Sequence, residues 1–337
     1  MKKVDVEEFL RLGSSGAIVD VRSPGEYAKG HMPGAVNLPI FTDKERAVVG
    51  TIYKQKGQQP AIDRGLEIVG PKMAGFVREA RKLAQNDTPL AVHCWRGGMR
   101  SGSMAWLFQT AGIPCVLLEG GYKAYRNRCL KIFGEERNYV VLSGMTGSGK
   151  TELLHAMEEQ GDTIIDLEKM ANHRGSAFGS LGMEKQPTCE QFSNDLAELI
   201  QSIPTDKTIW LEDESRTVGS VFIPEEFFAQ MRQAPRVYLD VEKSARVQRL
   251  VKDYACFPKE KLETSLKKIG KKLGSANLNK AIQALEADDF EFVANMALSY
   301  YDKAYRHSTQ TNDSRSVHIT EEPLENVIEK IREASKR

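Results

Sequence analysis

The chain has 337 residues, of which 41% are hydrophobic and 28% charged, and its formal net charge is +1. This length and composition predict about two folded domains, and they exclude both general disorder and a small fold held together by disulfides or metal ions. The near balance of charge excludes a uniformly basic surface for nucleic acid, but it still allows a local basic patch.

The N-terminus and the cysteines both favour a cytoplasmic protein. Acidic residues appear from Asp5 onward, before any apolar run, so no signal peptide is predicted. No stretch reaches the roughly 18 apolar residues of a membrane span, so no membrane partner is expected. The five cysteines, an odd number without a Cys-x-x-Cys pair, favour free thiols over disulfides or a zinc site.

The first half of the chain alternates short β-branched runs with helical patterns, which is typical of an α/β fold with parallel strands. The predicted elements are, in chain order, a strand at 17–21, a helix at 73–84, a strand at 89–93, a helix at 101–111 and a strand at 116–118. A polar, glycine-containing segment at 133–138 then separates a helix from a new strand. We therefore predict a first domain over residues 1–134.

The second half repeats the α/β pattern and then becomes almost entirely helical. Strands are predicted at 139–143, 163–166, 209–211 and 236–240, and a helix is predicted to begin at Lys150. The helical pattern dominates from about residue 242 to about residue 310. We predict a second domain over 135–337, an α/β domain with a helical C-terminal extension.

A cysteine directly follows the predicted strand at 89–93, in a loop with two glycines and two arginines. The loop residues are Cys94, Trp95, Arg96, Gly97, Gly98, Met99 and Arg100. A strand–loop–helix turn of this kind directs backbone N–H groups and a helix N-terminus at an anion, and it favours a reactive thiolate. We predict a tetrahedral-oxyanion site around Cys94. The Cys-x5-Arg spacing also fits a cysteine phosphatase, and the loop alone leaves both chemistries open.

Residues 144–151 match the pattern Gly-x4-Gly-Lys-Thr between a predicted strand and a predicted helix. The glycines let the backbone surround a diphosphate, Lys150 supplies a positive charge, and Thr151 suits Mg²⁺. The predicted diphosphate contacts are Gly144, Thr146, Gly147, Ser148, Gly149, Lys150 and Thr151. Glu212 and Asp213 follow the strand at 209–211 and are candidate Mg²⁺ ligands. No nucleotide-base motif accompanies the loop, so the loop by itself does not establish ATP hydrolysis.

The segments 20–27 and 30–39 resemble the signature of rhodanese domains, most of which carry sulfur on the loop cysteine. In that family the residues corresponding to Asp20, Arg22, Glu26 and His31 are mainly structural. Together with both loops, the runs at 93–101, 118–123, 172–179 and 211–216 resemble the tRNA 2-selenouridine synthases. The resemblance implies an N-terminal rhodanese-like domain followed by a P-loop NTPase-like α/β domain.

The same resemblance implies a two-step reaction on the wobble uridine, in the anticodon region of certain tRNAs. The sulfur of 2-thiouridine is geranylated with geranyl diphosphate, and selenium from selenophosphate then replaces the geranylthio group. Cys94 takes the place of the family's essential cysteine, and His173, Arg174 and Arg216 are further candidate diphosphate contacts. Trp95 is a candidate stacking partner for the base. No tightly bound cofactor is expected, and Mg²⁺ is a candidate ion.

A local basic segment offers a surface for tRNA. Residues 259–280 contain seven lysines and two glutamates, a local net charge of +5. The lysines are Lys259, Lys261, Lys267, Lys268, Lys271, Lys272 and Lys280. We predict that this patch contacts tRNA phosphates, with Arg246, Arg249 and Lys252 extending it.

Two other functions fit parts of the sequence. One is a rhodanese-type sulfurtransferase or cysteine phosphatase fused to an ATP-dependent kinase. The other is a non-catalytic RNA-binding or regulatory protein with a nucleotide switch.

Overall fold

The computed structural model describes residues 1–84, 88–308, 314–319 and 323–336. The chain divides into two compact units, Met1–Ile132 with Ser193–Ile200 and Phe133–Phe192 with Gln201–Arg337. Each unit has a five-stranded sheet in which all the paired strands are parallel, and helices pack on that sheet. The predicted α/β class is confirmed. No helix among the described residues is long and apolar enough to cross a membrane.

The sheet of the first unit has the strand order β1-β5-β4-β2-β3. Its strands are β1 (Lys2–Val4), β2 (Ile18–Asp20), β3 (Val36–Asn37), β4 (Leu90–His93) and β5 (Cys115–Leu118). Its helices are α1 (Val6–Ser15), α2 (Pro24–Lys29), α3 (Asp43–Lys56), α4 (Gln58–Val69), α5 (Met73–Leu83), α6 (Met99–Thr110) and α7 (Gly121–Ile132). Helices α3 and α4 were not predicted from the sequence, and α3 has no buried residue that would produce a clear amphipathic pattern.

The sheet of the second unit has the order β12-β11-β6-β8-β7, and a separate two-stranded ribbon pairs β9 with β10. Its strands are β6 (Asn138–Gly144), β7 (Thr163–Ile165), β8 (Thr208–Glu212), β9 (Thr217–Val218), β10 (Val221–Phe222), β11 (Arg236–Val241) and β12 (Ser314–Ile319). The helices after residue 133 are α8 (Lys150–Glu159), α9 (Leu167–Ala171), α10 (Cys189–Ser202), α11 (Glu225–Gln233), α12 (Lys243–Tyr254), α13 (Lys259–Leu273), α14 (Ser275–Glu286), α15 (Phe290–Ser308) and α16 (Leu324–Lys336).

The predicted helical region is confirmed as the run α12 to α15, but it does not end the fold. After α15 the chain returns to the sheet, where β12 pairs in parallel with β11. The helix α16 then packs Val327, Ile328 and Ile331 into the core of this unit. The helical region is therefore an insertion between two neighbouring strands.

Parallel pairing places the functional loops. The carboxyl ends of parallel strands lie at one edge of a sheet, and loops at that edge form ligand sites. The loop after β4 begins at Cys94, and the loop after β6 contains the phosphate-binding pattern. In the second sheet Leu142 of β6 is aligned with Glu212 of β8, so the phosphate loop starts beside that glutamate.

A buried ion pair supports the edge of the first sheet. Arg22 and Asp20 are both completely buried, and the Arg22 guanidinium donates to both Asp20 carboxylate oxygens and to the Gly30 carbonyl. The same guanidinium carbon lies 3.7 Å from the centre of the Tyr122 ring. Asp20 and Arg22 therefore make structural contacts in the interior of the first unit.

We expect Arg22→Met to destabilise the first unit strongly, because it leaves the Asp20 carboxylate buried without its cation. Removing one partner of a buried ion pair costs about 3–5 kcal/mol. Urea unfolding followed by tryptophan fluorescence measures the change. Arg64→Met is the control, since the Arg64–Glu67 pair is exposed and its loss should change stability by less than about 1 kcal/mol. Equal stability of the two variants would contradict the prediction.

Candidate active site

The cysteine loop lies against the turn at residues 118–121, and two glycines make this approach possible. Gly97 and Gly121 both have positive φ, of 64° and 62°. A Cβ on Gly97 would lie 2.5 Å from the Leu118 carbonyl oxygen, and one on Gly121 would lie 2.4 Å from the Cys94 carbonyl oxygen. Any side chain at either position would separate the loop from the turn.

Backbone N–H groups at the start of helix α7 donate hydrogen bonds to two carbonyls of the cysteine loop. The N–H of Tyr122 donates to the Cys94 carbonyl (2.8 Å), and the N–H of Lys123 donates to the Trp95 carbonyl (3.0 Å). In the described part of the chain, the N–H groups of residues 95–98 have no hydrogen-bond acceptor. These N–H groups and the uncapped N-terminus of α6 are therefore available to an anion, and the binding of an oxyanion here stays a prediction.

The thiol of Cys94 sits in this loop and is almost fully buried. Its Sγ lies 3.2 Å from the Oγ of Ser101, a residue that the sequence analysis did not single out. Ser101 Oγ also donates to the Gly98 carbonyl at 3.2 Å. Helix α6 begins at Met99, two residues earlier than predicted, and thereby brings Ser101 under the thiol.

The two arginines of the loop have different environments. Arg100 donates to Glu26 at 2.7 Å, so its charge is shared with a carboxylate. Burial raises the pKa of Glu26, but the hydrogen bond and the charge of Arg100 outweigh burial and lower it. Arg96 is exposed, and it supplies the more available charge for an oxyanion.

The two remaining side chains of the loop contact the protein. Trp95 is half-buried, with its ring centre 5.7 Å from that of Tyr122. Met99 is 55% exposed and accepts a weak contact from Gln58. Stacking of Trp95 on a base stays a prediction.

Two arginines of α12 donate hydrogen bonds to carbonyls of the phosphate loop. Arg246 donates to the Thr146 carbonyl at 3.2 Å and forms a two-pronged ion pair with Asp302. Arg249 donates to the Gly147 carbonyl at 3.1 Å. The prediction that Arg246 extends the RNA-binding patch is wrong, because Arg246 is buried and engaged with this loop. Arg249 is half-buried, and its contribution to the patch stays a prediction.

The glycines of the phosphate loop permit this packing. Gly147 and Gly149 have φ values of 79° and 84°, and a Cβ on Gly149 would lie 2.6 Å from the Arg249 guanidinium. Lys150 begins α8, and its Nζ donates to the Gly144 carbonyl at 2.9 Å. The lysine therefore lies folded over its own loop, where a bound diphosphate would meet it.

A cluster of three glutamates lies beside Thr151. Glu168, Glu212 and Glu214 each place one carboxylate oxygen within 4.8 Å of the others. The Thr151 hydroxyl donates to Glu212 at 2.5 Å. Glu212 is almost fully buried, and its second oxygen has no hydrogen-bond partner among the described residues. This oxygen-rich set, with one orphaned oxygen, fits Mg²⁺, which prefers oxygen ligands.

Glu212 and Asp213, at the end of β8, make different contacts. Asp213 accepts a hydrogen bond from Ser143 at 2.9 Å and lies 3.8 Å from Arg236. Glu212 is thus the better candidate ligand of the two predicted ones. Glu168 and Glu214 were not predicted from the sequence. The one feature of the sequence that could have indicated them is their position after a strand. Glu168 lies just beyond strand β7, and Glu214 lies two residues after Glu212.

Burial and neighbouring carboxylates raise the pKa values of the three glutamates in this cluster. Burial and the charge of its carboxylate neighbours raise the pKa of Glu168, and the same two causes raise the pKa of Glu212 and Glu214. Mutual repulsion is relieved either by protons or by a cation. The arrangement is therefore favourable for a divalent ion.

The segment 172–179 covers these carboxylates through its glycine. Gly175 has a φ of 63°, and a Cβ there would lie 3.0 Å from the carboxylate oxygens of Glu168 and Glu214. His173 is half-buried, and burial, with a smaller effect of Lys268, lowers its pKa. Arg174 is exposed, with its guanidinium carbon 5.9 Å from the centre of the Tyr254 ring. Diphosphate contacts by His173 and Arg174 stay predictions.

Arg216 lies in a surface ion pair. It donates to Glu225 at 2.6 Å, and both side chains are largely exposed. Arg216 therefore already shares its charge with the Glu225 carboxylate. A contact between Arg216 and a diphosphate stays a prediction.

The lysines of α13 fall into two groups. Lys259 contacts Asp288 and Lys267 contacts Glu263, each in an ion pair. The others, exposed and without an ion-pair partner in the described ranges, are Lys261, Lys268, Lys271 and Lys272. Three of them form one stripe, because spacings of seven and eleven residues are close to whole numbers of helical turns. The stripe consists of Lys261, Lys268 and Lys272.

The two units also match known families. A model described as "Rhodanese-like domain" matches residues 5–128, and a model described as "tRNA 2-selenouridine synthase AAA domain" matches residues 137–337. Fold and site together define an enzyme that joins a rhodanese-like thiol site to a P-loop-like domain.

Similar proteins of known name identify the family within this class of enzyme. The tRNA 2-selenouridine synthase of Bordetella petrii is 35% identical over 92% of this chain and 91% of that protein, and that of Psychromonas ingrahamii is 31% identical over 88% and 89%. The one of Nitrosomonas europaea is 39% identical over 70% of this chain, a match that spans 63% of that protein. The chain belongs to the tRNA 2-selenouridine synthase family, and it is an enzyme of this type.

We expect Mg²⁺ to stabilise the second unit more at pH 8 than at pH 6. The pKa values of Glu168, Glu212 and Glu214 are raised, so the metal-free cluster holds protons near neutral pH, and Mg²⁺ must displace them. Displacement becomes easier as the pH rises. Thermal unfolding with and without Mg²⁺ measures the effect.

Glu212→Gln should remove most of the Mg²⁺-induced shift, whereas Glu225→Gln, at an exposed ion pair, should preserve it. A shift that is independent of pH, or that survives in Glu212→Gln, would argue against this cluster as the ion site.

Proposed function

We propose that the protein converts 2-thiouridine at the wobble position of tRNA into 2-selenouridine, using geranyl diphosphate first and selenophosphate second. The observation that carries the proposal is the set of free N–H groups at residues 95–98 around the buried thiol of Cys94. Selenophosphate is a tetrahedral oxyanion of the kind that such a loop binds. The phosphate loop on the same chain suits the diphosphate group of the second substrate.

In the first step the sulfur of 2-thiouridine forms a bond to C1 of geranyl diphosphate. The bond from C1 to the diphosphate oxygen breaks, diphosphate leaves with the electron pair, and the base loses its N3 proton. Lys150 and the loop N–H groups stabilise the charge that develops on the departing diphosphate. No phosphoryl group is transferred, so the loop acts here as a leaving-group site.

The carboxylate cluster supports this step. Thr151, Glu168, Glu212 and Glu214 would hold Mg²⁺, which would supply positive charge to this site. Arg246 and Arg249 keep the loop carbonyls turned away from the anion.

In the second step the selenium of selenophosphate bonds to C2 of the base and the geranylthio group leaves as a thiol. Water takes up the phosphoryl group, which is released as phosphate. The N–H groups of the cysteine loop hold the phosphoryl oxygens, and the exposed Arg96 adds charge. The proposed setting is a reducing cytoplasm, which the five free cysteines support.

The direct test incubates the full chain with 2-thiouridine-containing tRNA, geranyl diphosphate, selenophosphate and Mg²⁺, followed by nucleoside mass spectrometry. We expect geranylated and then selenated nucleosides. Absence of both would refute the proposal. The competing function, a sulfurtransferase or phosphatase fused to a kinase, predicts instead consumption of thiosulfate or an aryl phosphate without tRNA.

We expect Cys94→Ala to lose selenation and keep geranylation, and Lys150→Ala to lose geranylation. A missing charge at a phosphate typically lowers the rate by about 100-fold or more. Cys115→Ala is the matched control for the thiol, because Cys115 is also buried and burial raises its pKa to about 12. Equal loss of both steps in both variants would contradict this division of roles.

We expect the stripe on α13 to contribute to tRNA affinity through phosphate contacts. Replacing Lys261, Lys268 and Lys272 together by Gln should weaken tRNA binding and lower the slope of log K against log salt by about 2–3. Replacing Lys259 and Lys267, which are ion paired, is the control and should change the slope less. Equal effects of both sets in fluorescence titrations at several salt concentrations would speak against the stripe.

A further inference from the structure

Asn194 is a completely buried polar residue, and none of the roles assigned above uses it. It belongs to α10, and the stretch Ser193–Ile200 of that helix is part of the first compact unit. Its amide Nδ2 donates to the Tyr122 hydroxyl at 2.7 Å and to the His31 carbonyl at 2.8 Å. Its Oδ1 accepts a hydrogen bond from the Arg126 guanidinium. Both amide hydrogens and the amide oxygen therefore have partners.

Arg126 determines which way the amide of Asn194 faces. A guanidinium group only donates hydrogen bonds, so the amide oxygen must face Arg126 and the amide nitrogen must face the other side. Tyr122 and His31 lie on that side and accept from the nitrogen. Because Arg126 follows Tyr122 by four residues, the asparagine binds two successive turns of α7.

Tyr122 connects this asparagine to the cysteine loop. Its backbone N–H donates to the Cys94 carbonyl at 2.8 Å, and its ring centre lies 5.7 Å from that of Trp95. The guanidinium carbon of Arg22 lies 3.7 Å from the centre of the same ring. The hydrogen bond from Asn194 fixes the hydroxyl end of the ring. A shift of Tyr122 would therefore displace its contacts with both loop residues.

The second hydrogen bond of Asn194 holds the chain beside the buried ion pair. His31, whose carbonyl accepts from Asn194, directly follows Gly30. The Gly30 carbonyl accepts from Arg22 at 2.7 Å, and Arg22 lies against the Tyr122 ring. One side chain thus binds two of the segments that surround this arginine.

Attaching α10 to α7 does not by itself require a buried asparagine. Arg128 of α7 and Glu198 of α10 already form an ion pair at 2.9 Å. Apolar side chains would attach the helix without the free-energy cost of removing an amide from water. A buried amide with its hydrogen bonds made does something that apolar contacts do not, because it fixes one orientation of its partners.

We propose that Asn194 is a positioning residue for the cysteine loop, and that it acts through Tyr122 to keep Cys94 and Trp95 in place for selenation. The inference rests on the function proposed above, which assigns the selenation step to this loop. The rhodanese-like model matches residues 5–128, so Asn194 lies outside the segment that resembles rhodanese domains. Residues 5–128 alone therefore lack part of the support of the thiol site.

The kinetic test follows the conversion of geranylated tRNA by the full chain at saturating selenophosphate. Asn194→Leu keeps the size of the side chain but removes its hydrogen bonds, and Tyr122→Phe removes only the hydroxyl. A misplacement of about 1 Å can lower a rate by about 100-fold, so we expect each variant to lower kcat for selenation by about tenfold or more. The KM for tRNA and the rate of geranylation should stay within about twofold of the unmodified values, because the lysine stripe and the phosphate loop are unchanged.

A double substitution tests the route through Tyr122. If Asn194 acts through that hydroxyl, Asn194→Leu combined with Tyr122→Phe should lower kcat no further than Asn194→Leu alone, because the two single changes remove the same contact. Losses that multiply in the double variant would overturn the proposed route.

Hydrogen exchange measures the support of the loop without any substrate. The N–H groups of residues 122 and 123 bind the loop carbonyls, so in both single variants they should exchange several times faster. The N–H groups of strands β4 and β5 should exchange as in the unmodified protein. Unchanged exchange at residues 122 and 123 would overturn the inference.

Two control variants separate positioning from a general loss of stability. Glu198→Gln weakens the ion pair between α10 and α7 but leaves the Asn194 contacts in place. Ile113→Ala destabilises the first unit at the amino end of β5, at the opposite edge of the sheet from the loop. Both should keep selenation within about twofold at a temperature where thermal unfolding shows every variant to be folded. A loss in Ile113→Ala equal to that in Asn194→Leu would overturn the inference.

The outcomes also separate this inference from the proposed function. Normal selenation by both Asn194→Leu and Tyr122→Phe overturns the positioning role and leaves the proposed function standing. If the unmodified protein forms no selenated nucleoside, the proposed function fails. Hydrogen exchange at residues 122 and 123 then still decides whether Asn194 holds the loop.

Discussion

Each peptide group carries a donor and an acceptor on opposite sides, so a loop can present its N–H groups to an anion only if its carbonyls find donors elsewhere. This constraint governs both loops of the protein. At the cysteine loop the donors are backbone N–H groups at the start of α7, which take the carbonyls of Cys94 and Trp95. At the phosphate loop they are two guanidinium groups from α12, which take the carbonyls of Thr146 and Gly147.

The different donors have different consequences. A backbone donor requires close approach of two chain segments, and Gly97 and Gly121 make that approach possible. A guanidinium donor needs no such contact of backbones, and it brings a positive charge to the loop. The charge of Arg246 is balanced by Asp302, whereas Arg249 shares its charge with the partly exposed Glu152. The second loop thus has two guanidinium groups at its carbonyls, each of them also paired with a carboxylate.

Features set by local spacing could be predicted from the sequence. The strand before each loop, the glycines within it and the helix after it lie within about ten residues, so the cysteine loop and the phosphate loop were both recognisable. Features set by strand order were not. Glu168 joins Glu212 only because β7 and β8 are neighbours in the sheet. Arg246 and Arg249 were counted with the basic patch because composition records charge but not the direction of a side chain.

The long helical insertion between β11 and β12 has a consequence for folding. Arg236 of β11 is aligned with Ser314 of β12, so the edge of the second sheet is closed by a strand that is synthesised late. Closing so long a loop costs conformational entropy, and contacts of this sequence separation slow folding. The helices α12 to α15 reduce that cost if they form first, because they shorten the distance that the chain must search. The insertion that holds the phosphate loop through Arg246 and Arg249 therefore also affects how readily the sheet is completed.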